Sequence, residues 1–85
     1  MNKWRKNKLR MLAADMTGMK AAVEGVIAEE TATAEKMPPR LRRGERGQRA
    51  DAAIGHMEAA ADLLARARDE IETITEIQDE EGTNA

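Results

Sequence analysis

Residues 37–49, Met-Pro-Pro-Arg-Leu-Arg-Arg-Gly-Glu-Arg-Gly-Gln-Arg, constrain what this chain can fold into more than any other stretch. Proline removes a backbone donor and disfavours the α conformation in the residue before it. Adjacent Pro38 and Pro39 therefore end a helix arriving from the N-terminal side. Gly44 and Gly47 follow before apolar periodicity resumes, so the chain is cut into two halves of nearly equal length. Five of the nine arginines also fall in this segment, which gathers positive charge where the chain reverses.

Both halves carry helical stripes. Leu9, Leu12, Met16, Met19, Val23 and Val26 recur at alternating spacings of three and four, as in a coiled-coil seam, and Glu30, Thr33 and Met37 continue the frame. Ile54, Met57, Ala61, Leu64, Ala67 or Arg68, Ile71, Ile74 and Ile77 form the second stripe, with a drift near Ala67. The pattern predicts helix 1 over about residues 3–36, a connection over 37–45 and helix 2 over about 46–78. A frayed acidic tail over 79–85 is marked by Gly82, Thr83 and Asn84. At 1.5 Å per residue each helix is roughly 50 Å long. The fold class is all-α: one antiparallel, coiled-coil-like two-helix hairpin domain.

Charge favours the same reversal. Lys3, Arg5, Lys6, Lys8 and Arg10 open the chain with no acid among them, whereas Asp69, Glu70, Glu72, Glu76, Asp79, Glu80 and Glu81 lie together without a base. Each block opposes its own helix dipole, and folding back sets one beside the other. The hairpin has little to bury against itself, because 16 of its residues are alanine and Trp4 is its one aromatic. Small domains of this kind need reinforcement. Gly18, Ala21 or Ala22, Gly25, Ala28 and Ala32 form a second, small-residue stripe, which points to a homo-oligomer with a four-helix bundle as the minimum assembly.

The chemistry available is narrow. Without cysteine there is neither disulfide nor thiolate metal site, and the basic start leads into no apolar stretch of signal-peptide type. No apolar run approaches the roughly 20 residues of a membrane span. His56 and Glu58 form a His-x-Glu pair with no further histidine to complete a metal shell. Asp69-x-x-Glu72 and Glu76-x-x-Asp79 have carboxylate-motif spacing but face a basic segment. A net charge of −2 speaks against a general polyanion binder, so nucleic acid is not an expected partner. No catalytic residue, metal or cofactor is expected.

The arginine cluster is the candidate binding site. Arg40, Arg42, Arg43, Arg46 and Arg49 can hold phosphate through paired guanidinium donors, with Gly44 and Gly47 allowing close approach. The competing reading pairs these arginines with Glu29, Glu30 and Glu35 at the end of helix 1 as a solvated network.

Met37-Pro38-Pro39-Arg40-Leu41, then Gly44-Glu45-Arg46-Gly47-Gln48-Arg49-Ala50, then Ile54 in an Ala/Leu-rich helix, resembles a group of short phage- and prophage-encoded two-helix proteins. Those carry a Met-Pro-x-x-Leu segment and a Ser/Gly-Glu-Arg/Lys-Gly start to the second helix. The chain departs from them in Pro39 directly after Pro38 and in the basic Arg42-Arg43 pair. The resemblance implies a viral accessory protein, located in the cytoplasm of an infected bacterial host, rather than a housekeeping enzyme. The expected function is then a non-enzymatic oligomer that binds a cyclic nucleotide or another phosphate-bearing molecule, sequestering a host immune signal. The alternative is a coiled-coil adaptor, inhibitor or virion-assembly factor that binds a host or phage protein and no small molecule.

Overall fold

A computed structural model describes residues 1–84, with side chains through residue 80. Three helices follow one another: α1 (Lys3–Glu35), α2 (Pro39–Arg43) and α3 (Glu45–Asn84). The long helices lie antiparallel, giving a rod of 66 × 14 × 13 Å. No helix among the described residues is long and apolar enough to cross a membrane.

Local chemistry sets the boundaries. The side chain of Asn2 caps α1 by accepting from the Arg5 amide at 2.8 Å. At the other end the Lys36 amide still donates to the carbonyls of Ala32 and Thr33 before Pro38, in an extended conformation, breaks the path. Pro39 then occupies the first turn of α2, where its missing amide costs nothing. The connection expected over 37–45 thus contains a five-residue helix. Gly44 caps α2, and the Gln48 amide donates to its carbonyl at 3.1 Å to start α3.

The second helix, expected to about residue 78 with an acidic tail over 79–85, extends as α3 through Gly82 to Asn84, and residue 85 lies outside the described residues. A glycine stop works by adopting a left-handed conformation, and no described residue has positive φ. Tertiary contacts also hold this end. Asp79 accepts two hydrogen bonds from Arg10 Nη2, at 2.8 and 2.9 Å, and Lys6 Nζ lies 3.6 Å away. The amino terminus donates to Gln78 Oε1 at 2.7 Å. The basic and acidic ends therefore meet, through Lys6, Arg10 and Asp79.

The seam is rotated from the expected one. On α1 the least exposed positions are Lys6, Leu9, Ala13, Met16, Lys20, Val23, Ile27, Thr31 and Ala34. On α3 they are Gly47 and Ala50 at the tip and then Ile54, Met57, Ala61, Leu64, Arg68, Ile71, Thr75 and Gln78, with Ala65 and Ala67 beside them. Leu9, Met16 and Val23 belong to both frames, but Leu12, Met19 and Val26 flank the contact, 38%, 48% and 47% exposed. Small residues decide the rotation. Ala13, Ala34 and Ala61 are buried where the backbones approach, and larger side chains there would hold the helices apart. Lys6, Lys20 and Arg68 lay aliphatic stems along the seam while their charged ends reach carboxylates at its edge. Thr75 is buried with its hydroxyl satisfied by the Glu72 carbonyl at 2.9 Å.

The two faces of the hairpin differ as a result. One holds Arg10, Thr17, Glu24 and Thr31 opposite Asp51, Glu58, Glu72 and Asp79 and is polar along its length. The Arg10–Asp79 pair and the recess shared by Glu24, Ala28, Glu58 and Asp62 lie on it. The other holds Leu12, Met19 and Val26 beside Ala53, Ala60, Ala67 and Ile74, with Ala22, Leu63 and Ile77 further out. Between Leu12 and Val26 the row of α1 nearest the seam carries no charge on this apolar face, and neither does its counterpart on α3 between Ala53 and Ile74.

Candidate anion site at the hairpin tip

The arginine-rich tip is built around Arg42. Its amide donates to the Pro38 carbonyl at 2.9 Å as α2 begins to wind. Its guanidinium reaches back to α3, donating to both carboxylate oxygens of Asp51 at 2.8 and 3.0 Å and to the Gly47 carbonyl at 3.3 Å. These hydrogen bonds hold the Asp51 carboxyl below its usual range against the opposing effect of desolvation, and keep Arg42 more firmly protonated. Such a bidentate pair fixes orientation as well as distance. It staples α2 onto the first turns of α3.

Gly47 makes the staple possible. A methyl group there would overlap the Arg42 carbonyl oxygen and stand 2.8 Å from the Arg42 Cα. The close approach expected at Gly47 therefore occurs, but α2 is the group that approaches. At Gly44 a methyl group would meet the Arg40 carbonyl at 3.5 Å, an ordinary contact.

The five arginines divide into three groups. Arg42 is engaged with Asp51. Arg49 donates to Glu45 Oε1 at 2.6 Å one helical turn earlier. Arg40, Arg43 and Arg46 form no ion pair with a described residue. Arg40, Arg46 and Arg49 converge with Leu41, Gly44 and Glu45 on an open recess of about 440 Å³. Arg42, Arg43 and Gly47 do not line it. The expected network with Glu29, Glu30 and Glu35 is not formed: Asp51 and Glu45 are the carboxylates that pair, and Glu35 adds only its field at Arg42. Asp51 was not foreseen, because nothing marks a carboxylate nine residues from Arg42 until α2 folds back over α3.

Three cations around one carboxylate form a recess of positive character, open to water and suited to a multiply charged anion. The remaining candidates are dispersed. His56 and Glu58, two residues apart on one helix, point to opposite faces. Asp69 is paired with Arg68 at 3.0 Å, and Asp79 with Lys6 and Arg10. Among the described residues no three His, Asp or Glu side chains come together in a metal-binding group. Compared with protein-family models, curated proteins and solved structures, the chain finds no match.

Proposed function

We propose that this hairpin is a non-enzymatic binding protein that takes a phosphate-bearing, nucleotide-like anion at its tip. The convergence of Arg40, Arg46 and Arg49 on one recess, with Glu45 the only acid lining it among the described residues, carries this reading. Arg42 acts beneath the recess, holding α2 in place through Asp51. Arg43, on the exposed side of α2, adds charge that draws an anion in. A protein that holds such a ligand without breaking a bond acts by sequestration, which suits an antagonist of a nucleotide signal.

Thermal shift against a panel of mono-, di- and cyclic nucleotides and inorganic polyphosphate tests this. Ligand at 100 times its dissociation constant stabilises a fold by about 2.7 kcal/mol, a rise of roughly 10 °C or more for a domain of this size. Arg40→Ala combined with Arg46→Ala removes the shift and leaves helical content intact, since neither residue belongs to the Arg42–Asp51 staple. A panel that moves the midpoint of neither protein refutes the reading.

A second reading has its own observation. Exposed Leu12, Met19, Val26, Leu63 and Ile77 on one face fit an interaction factor that recognises protein and needs no small ligand. It predicts no nucleotide response, and loss of the partner on substitution along that face.

A further inference from the structure

We infer that a second copy of this chain covers the apolar face, with the two hairpins face to face, their tips at opposite ends, and a dyad at Met19. A compact monomer of 9.4 kDa exposes about 5,000 Å². This chain exposes 6427 Å², and among the described residues no large side chain is fully buried. The excess of about 1,400 Å² exceeds the roughly 800 Å² that each partner contributes to a stable interface of ordinary size. Among the described residues the hairpin alone buries only Ala13, Ala34, Gly47, Ala61 and Thr75 completely enough to count as core, so its larger apolar side chains remain for a partner.

Among the described residues all five exposed leucine, isoleucine and valine positions of α1 and α3, Leu12, Val26, Leu63, Ile74 and Ile77, lie off the polar flank, and Met19 joins them. Leu12 and Val26 stand seven residues either side of Met19, and Met19 lies halfway along the arm of the hairpin. A dyad there sets Met19 against its own copy and Leu12 against Val26 of the second copy, with complete overlap of the rods. On α3 the same operation sets small Ala60 against large Ile74, as interdigitated packing requires.

Charge selects the direction. With tips at opposite ends, Lys8 comes level with Glu30 of the second copy, and each arginine-bearing tip lies towards the acidic end of the other α3. With tips together, Arg40, Arg42, Arg43, Arg46 and Arg49 of both copies would crowd one end, and Asp15 would approach Glu70 of the second copy. Like charges in register oppose that arrangement. The inference does not depend on what the tip binds.

Because the chain has no cysteine, single-cysteine variants report the geometry directly. Sedimentation equilibrium of the unmodified protein should give twice 9.4 kDa at micromolar concentration. Under mild oxidation Met19→Cys should form a covalent dimer in high yield, whereas Thr17→Cys, on the polar face, should not. A mixture of Leu12→Cys with Val26→Cys should give the mixed disulfide. Met19→Glu should lower the mass to that of a monomer, and since that variant can also unfold, the cysteine pair carries the decision. A monomeric native protein overturns the inference and leaves the face to a different occupant. Linkage at Thr17 overturns it too, as does linkage of Met19→Cys to Ala67→Cys in place of itself, which would mean tips together.

Discussion

Glycine to alanine substitutions at three helical positions separate what this fold requires from what it tolerates. Within a helix alanine is favoured over glycine by about 1 kcal/mol. At Gly18 and Gly25 a methyl group would meet nothing within 4 Å, so the gain is realised in full. At Gly47 the same gain is opposed by overlap with the Arg42 backbone, which a rotamer change cannot relieve. Displacing packed groups costs about 1–3 kcal/mol, and α2 must also release its hydrogen bonds to Gly47 and Asp51. Gly47→Ala should therefore be net destabilising, and the gap between Gly18→Ala and Gly47→Ala should be about 2 kcal/mol, or some 8 °C or more in melting temperature. Thermal and urea unfolding followed by circular dichroism at one fixed protein concentration measures it, because assembly makes the midpoint concentration-dependent. If Gly47→Ala proves as stabilising as Gly18→Ala, the account of the tip is wrong. If Gly18→Ala destabilises, another backbone packs on the outer face of α1, as the small-residue stripe first suggested, and the assembly inferred above is misplaced.

Other outcomes follow from the same contacts. Asp51 and Asp79 are both held below their usual carboxylate range by arginine, so their contribution is complete above the unfolded value near 3.8 and is lost as pH falls through the lower folded value. The melting temperature should be level from neutral pH to about 5 and decline below 4, and Asp51→Asn with Asp79→Asn should flatten that decline. Asp79→Asn alone should increase amide exchange at residues 1–10 and 76–80 more than elsewhere, an effect that shrinks at high salt because the pair is exposed. Arg42→Ala should loosen α2, measured as faster proteolysis within residues 37–46, whereas Arg43→Ala should leave cleavage unchanged.

Much of the fold was legible in order of residues alone. The proline pair, two apolar stripes and oppositely charged ends determined an all-helical chain that reverses near residue 38, because backbone donors, helical periodicity and net charge are properties of short segments. Which arginines cluster was equally plain, since they are neighbours in sequence. The rotation of the helices was not. It depended on Ala13, Ala34 and Ala61 each lying buried in the seam at its own level, and a stripe of Leu, Met and Val outweighs alanine in any reading of hydrophobicity while alanine wins on distance of approach. The division of labour at the tip was likewise decided in three dimensions. Only the folding of α2 over α3 commits Arg42 to Asp51, spends the small size of Gly47 on the chain itself, and leaves Arg40, Arg46 and Arg49 around the recess. Periodicity specifies which residues share a face; the contact between faces specifies which of them are buried, paired or left for a partner.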